Sequence, residues 1–164
     1  MIKVYLDTCV LSGLKNSKID LNQLKALEQL CDKEDIEFVS SKKMLDEFLH
    51  TQNNRTRMEL RILYKLIDKL PSKNITETTT VFLSPMQPAA VERKLPLYEK
   101  LENIFDSDDA EHIYYAIIGD CDYFLTLDNN TILSRIDDYK EELDVIDSNI
   151  AYVNPLSLFK RIDG

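Results

Sequence analysis

What the chain has little of narrows the choices first. Three glycines, five prolines and no tryptophan among 164 residues exclude collagen-like, low-complexity and Gly-rich architectures. Cys9, Cys31 and Cys121 are an odd number of cysteines without C-x-x-C spacing, and the only histidines are His50 and His112. Neither a disulfide framework nor a structural zinc site follows, and reduced, buried thiols are expected. No apolar run approaches the roughly 18 residues a membrane-spanning helix needs, and the opening MIKVYLDTC sets Asp7 where a signal peptide would continue its apolar stretch. A cytoplasmic protein with no membrane partner is expected. Basic residues are also scarce: 20 Lys+Arg against 29 Asp+Glu leave a net charge of -9, which argues against a passive electrostatic nucleic-acid binder. An enzyme whose acids hold divalent cations remains open, because a bound metal inverts the local sign.

What is present is the composition of one helix-rich domain spanning 1–164, with 44% hydrophobic residues and enough length to bury a sizeable core. The run Ile2-Lys3-Val4-Tyr5-Leu6 is apolar and β-branched, as in a buried strand, and Asp7-Thr8 opens the following loop. Asp20 is placed to cap a helix carrying Leu21, Leu24, Leu27 and Leu30, and Ile36 to Ser40 is a second strand. Ser40 or Ser41 leads a helix through Leu49 that contains Glu47, and Asn54 to Leu70 continues helically. Residues at about 71–96 hold four of the prolines and a Thr-rich run, an insertion or lid-like segment with a helix from about Ala89.

Beyond Phe105, the acids Asp106, Asp108 and Asp109 lead an apolar helix that Gly119 ends. Tyr123 to Asp128 reads as a third strand, Asn129-Asn130 opens a short helix to about Tyr139, a last strand lies within Val145 to Val153, and a terminal helix starts at Pro155. The order alternates β and α, which predicts an α/β fold around a largely parallel sheet.

Two strands, Tyr5-Leu6-Asp7 and Thr126-Leu127-Asp128, end in Asp at the same relative position, and parallel pairing would carry both carboxylates to one edge, where open α/β sheets bind ligands. Glu47 and Asp109 lie on helices able to lean over that edge. Clustered carboxylates repel one another, and hard divalent cations remove that cost while bridging to phosphate oxygens. Taken singly, each acid has a plainer use as a turn residue or helix cap. Asp46, Asp106 and Asp108 are neighbouring acids that could take the same places, and His112, three residues after Asp109, either faces the site or is a hydrogen-bonded helix residue.

At these positions a family resemblance becomes specific. Val4-Tyr5-Leu6-Asp7-Thr8-Cys9-Val10-Leu11 resembles the first motif of the PIN (PilT N-terminus) domain family, and Ser40 to Leu49 is similar to the second. Asp109 to Ala116 and Cys121 to Asp128 resemble the third and fourth motifs in order and spacing. The resemblance covers most of the chain apart from about 71–96 and the last strand. It implies a Rossmann-like α/β/α sandwich and a metal-dependent endoribonuclease in which Asp7, Glu47, Asp109 and Asp128 bind one or two Mg²⁺ or Mn²⁺ ions. Thr8 and Thr126 are then supporting hydroxyls, and Asn129 completes the outer shell beside Asp128. Many small members are VapC-like toxins of type II toxin–antitoxin pairs, so a cognate antitoxin and a homodimer are the partners implied, with RNA as substrate.

Substrate contacts in so acidic a chain must come from local patches such as Arg55, Arg57 and Arg61, although a solvated helix face is the plainer reading of that stretch. A haloacid-dehalogenase-type phosphatase needs Asp-x-Asp, and the second position here is Cys9. The alternative of another class is a catalytically silent PIN domain that binds protein or RNA.

Overall fold

The computed structural model describes residues 1–16, 18–40, 96–146 and 149–163. Within them lie strands β1 (Ile2–Leu6), β2 (Ile36–Val39), β3 (Tyr123–Leu125) and β4 (Ala151–Val153). The helices are α1 (Thr8–Lys15), α2 (Leu21–Cys31), α3 (Ser107–Ile118), α4 (Ser134–Asp138), α5 (Lys140–Ile146) and α6 (Pro155–Asp163), with a π-helical turn at Asn129–Leu133. Residues 96–102 are also helical. Glu47, Arg55, Arg57 and Arg61, and the proline-rich stretch up to residue 95, lie outside the described residues, as does the expected helix start near Ala89.

The sheet has four strands in the order β2-β1-β3-β4, all parallel. Tyr5 stands between Val39 and Phe124 in register, and Leu6 opposite Leu125. A central parallel strand is covered on both faces, and Val4, Tyr5 and Leu6 are all 0% exposed. The pleat sends successive side chains to opposite faces. Val4 and Leu6 accordingly join one core with Val10, Leu11 and Leu14 of α1, Leu24, Leu27 and Leu30 of α2 and Leu158 of α6. Tyr5 and Phe124 join the other with Leu101, Ile104, Ala110, Ile113, Ile132 and Leu143. Helices thus cover both faces of a parallel sheet, the α/β architecture expected from the alternating order.

The chain leaves β1 for β2 on one side, and β3 then returns to pair on the other side of β1. That reversal opens a crevice at the carboxyl ends of β1 and β3.

Local chemistry explains the ends of these elements, including two departures from the sequence reading. The chain after Asp7 is helical from Thr8 rather than a loop, because Val10, Leu11 and Leu14 fall on one helical stripe and are buried. The strand expected to run to Asp128 stops at Leu125. The Asp128 carboxylate there accepts from the N–H groups of Asn130 and Thr131 at 2.8 and 2.7 Å, which turns the chain into the π-helical segment. The last strand, Ala151–Val153, falls within the Val145 to Val153 range read from the sequence, and Val145 itself is exposed near the end of α5. At the end of α3, Gly119 is the cap as expected, yet its φ is -79° and the left-handed residue is Asp120 at φ 53°, a conformation Asp tolerates better than most. Gly13 has its own reason: a Cβ there would lie 2.7 Å from Leu127 Cδ1, so the missing side chain lets α1 approach the loop after β3.

Candidate active site

The crevice at the β1 and β3 ends forms a cleft of about 320 Å³ lined by Asp7, Asp108, Asp109 and Asp128 together with Thr8, Cys9, Ser12 and His112. A larger cleft of about 550 Å³, bordered by Lys100, Tyr139, Glu141, Val145 and Ile146 among others, gathers no comparable set of acids.

Asp7 is 4% exposed, a costly position for a carboxylate unless it is hydrogen-bonded. It occupies the capping position of α1 but makes no side-chain cap. Its Oδ2 instead accepts from the Thr126 hydroxyl at 2.7 Å and the Cys9 thiol at 2.8 Å. Thr126, itself fully buried, accepts from the Asp128 N–H at 3.0 Å, and Cys9 Sγ accepts from the Leu127 N–H at 3.0 Å. With the Asp7 N–H donating to the Leu125 carbonyl at 3.0 Å, the network stitches the end of β1 to the end of β3. Burial, and then the adjacent Asp7 charge, push the Cys9 thiol well above its ordinary range. It therefore serves as a donor rather than a nucleophile.

Asp109 sits in the first turn of α3, whose N-cap Asp106 accepts from the Asp109 N–H at 3.1 Å. Burial and the charges of Asp106, Asp7 and Asp128 push the Asp109 carboxyl up to about 6, against a hydrogen bond from Thr131 that lowers it. Asp7, Asp109 and Asp128, three of the four acids that line the cleft, share one field. Asp128 behaves oppositely: partial burial works against its charge, but hydrogen bonds from the Thr131 N–H and hydroxyl and from the Asn130 and Ile132 backbone hold it below the usual carboxylate range. Thr131 is the link, its Oγ1 lying 2.9 Å from Asp109 Oδ2 and 2.9 Å from Asp128 Oδ2.

Of the residues the sequence singles out, Asp7, Thr8, Asp109 and Asp128 line the cleft, and Thr126 braces it from beneath. Asp108, one of the neighbouring acids, lines it too, whereas Asp106 is spent on the cap and Asn129 is exposed at the start of the π-helical turn. Three contributors are absent from the sequence reading of the site: Cys9, read there only as a thiol, Ser12 and Thr131. The Asp-x-x-Thr spacing of Asp128 and Thr131 was the available signal for the last, since it matches a helix cap with a hydroxyl returning to the capping acid.

His112 combines both roles the sequence left open. It is buried on α3, lines the cleft, and places Nδ1 2.9 Å from the Tyr5 hydroxyl and Nε2 3.0 Å from the Thr8 hydroxyl.

The donor chemistry, hard carboxylate and hydroxyl oxygen, fits Mg²⁺ or Mn²⁺. Among the described residues, no group of three or more His, Cys, Asp or Glu side chains stands at metal-holding spacing. No described helix is long and apolar enough to cross a membrane. Comparison with known proteins finds no family model, no curated protein and no solved structure that matches this chain.

Proposed function

We propose that this chain is a metal-dependent endoribonuclease of the PIN kind, hydrolysing RNA phosphodiester bonds. One observation carries the reading: Asp7, Asp109 and Asp128 meet in one cleft at the carboxyl edge of a parallel sheet, where burial first, and then the charges of Asp106, Asp7 and Asp128, raise the proton affinity of Asp109. Such crowding is costly in an acid cluster that holds nothing and useful in one that attracts a cation.

In this reading Asp7, Asp109, Asp128 and Glu47 hold one or two Mg²⁺ or Mn²⁺ ions. When bound, the metal supplies an activated water at neutral pH and neutralises charge on the phosphodiester. The chain's own part is preorganisation. Thr126 and Cys9 fix Asp7 by two hydrogen bonds to a single oxygen, so the carboxylate does not reorient when substrate arrives. The turn that begins at Asp128 keeps that acid ionised, and Thr131 holds the Asp109 and Asp128 oxygens on either side of one hydroxyl. A net charge of -9 also suits a basic protein partner, so a type II toxin bound by a cognate antitoxin, with a homodimer as its unit, is the more specific form of the proposal.

The test is cleavage of a mixed panel of single-stranded and structured RNAs with Mg²⁺ or Mn²⁺. Wild type should cut, EDTA should abolish cutting, and Asp7→Asn should lower the rate by about a hundredfold or more. The second reading, a PIN-like module that binds protein or RNA without turnover, is favoured by the lack of a complete ligand group among the described residues. A folded protein that binds Mn²⁺ and RNA yet cuts nothing on the panel decides for it.

A further inference from the structure

We infer that Thr126 and Cys9 are ion-selectivity residues: by occupying Asp7 Oδ2 they limit this acid to one coordinating oxygen, Oδ1, and so disfavour Ca²⁺ relative to Mg²⁺. The inference rests on the proposal that the cleft holds a divalent cation, and adds what decides between cations.

The acids of the cleft do not offer all of their oxygens. Thr126 Oγ1 and Cys9 Sγ lie 2.7 and 2.8 Å from Asp7 Oδ2 and donate to it. The two donors are also 3.1 Å from each other, so one proton can turn aside, but both cannot do so at once. Oδ2 therefore keeps at least one hydrogen bond and stays enclosed by two heavy atoms. Oδ1 is treated differently. Asp7 stands at the capping position of α1, where a carboxylate ordinarily accepts helix N–H groups, yet it caps nothing. Asp7 is only 4% exposed, but among the described residues no fully buried carboxylate oxygen lacks a hydrogen bond. The bare Oδ1 is thus the part of this buried acid that meets the cleft it lines.

Asp128 is restricted in the same way from the other side. Its Oδ1 accepts from the N–H groups of Asn130 and Thr131, two obligatory donors that use both lone pairs, and Oδ2 remains beside the Thr131 hydroxyl. Of the three acids only Asp109, touched by that hydroxyl at Oδ2 alone, can present two oxygens.

The two kinds of cation differ in how much they lose by this. Ca²⁺ gathers about six to eight oxygens and often takes both from one carboxylate, whereas octahedral Mg²⁺ keeps several waters and needs one or two carboxylates. Retiring one oxygen each of Asp7 and Asp128 removes ligands from the larger ion and none that the smaller one requires. The Asp128 restriction is part of the turn itself, so the Asp7 restriction is the one that can be lifted.

The test reads binding rather than cleavage. The electron paramagnetic resonance signal of free Mn²⁺ gives its affinity, and displacement by Mg²⁺ and by Ca²⁺ gives theirs. In Thr126→Val combined with Cys9→Ala, the affinity for Ca²⁺ relative to Mg²⁺ should rise about tenfold over wild type, the worth of one regained ligand contact. Cys9→Ser, whose hydroxyl donates as the thiol does, should keep the wild-type ratio. If the double variant does not fold, Cys9→Ala alone, which leaves the Thr126 hydroxyl in place, should move the ratio in the same direction by about threefold. General loosening of the cleft weakens both ions together, so an unchanged ratio in folded variants overturns the inference while leaving the metal site standing. A wild-type protein that binds none of the three ions fails the metal reading itself, and the inference with it.

Discussion

Because Asp109 ionises in a half-buried position and beside Asp106, Asp7 and Asp128, removing its charge should stabilise the protein wherever the native carboxyl is ionised. In the folded chain that carboxyl is pushed up to about 6 from an ordinary 3.8, so the folded state binds its proton more tightly than the unfolded state does. The penalty is therefore full above pH 6, fades as pH falls towards 4, and is absent below both values. Partial exposure screens it, and about 1 kcal/mol is the expected size. Asp109→Asn should unfold at a higher temperature than wild type at pH 8 without divalent ions, and the difference should vanish near pH 4. Adding Mg²⁺ or Mn²⁺ at pH 8 should reverse the order, since a ligand held by the native state raises its stability by mass action. A wild-type melting temperature indifferent to both ions would remove the basis for an acid cluster that holds metal. At this same scale, Asp7 and Asp128 were legible because each ends an apolar run, whereas Thr131 and Cys9 were not, because their importance lies in which carboxylate oxygen they touch.

The first turn of α3 does two jobs at once, and they can be separated. Asp106 caps the helix through the Asp109 N–H, and its charge also raises the proton affinity of Asp109. Serine caps about as well as aspartate but carries no charge. Asp106→Ser should leave stability nearly unchanged while lowering the Asp109 value below 6, seen as a shift of the acid limb of the pH–rate profile to lower pH. Asp106→Ala should shift that limb similarly and also lose about 1 kcal/mol of stability with the cap, measured by urea unfolding. If both variants keep the wild-type pH limb, the rate is not governed by Asp109. Elements with a strong local signal were readable in this way. Asp20 and the Leu21, Leu24, Leu27 and Leu30 stripe foretold α2, and Asp106 with Gly119 bounded α3. Two details were not: β3 ends where the Asp128 carboxylate captures the backbone N–H groups two and three residues on, and α5, held by the single buried residue Leu143, had no reading of its own.

For the molecule as a whole, the proposed function requires bringing a polyanion to a protein of net charge -9. On the proposed function, bound divalent ions would neutralise the cleft, but an RNA strand would extend beyond it, and each phosphate outside would have to be met by a cation or remain hydrated. Arg55, Arg57 and Arg61 are the closest-spaced arginines in the sequence and were singled out for this reason. If these side chains neutralise three phosphates of a single strand, the logarithm of the binding constant should fall with the logarithm of salt concentration with a slope of about -2. Fluorescence anisotropy of a labelled RNA with Asp7→Asn, at fixed Mg²⁺, measures that slope without cleavage. Adding Arg55→Gln, Arg57→Gln and Arg61→Gln should bring it near zero, and in the Asp7 background of wild type should raise KM while leaving kcat within about twofold, as expected when uniform binding is lost. An unchanged slope would assign the phosphate contacts to other residues, and a slope already near zero with all three arginines present would mean that the metal and the cleft donors do all of the holding, which would limit the enzyme to short recognition sites.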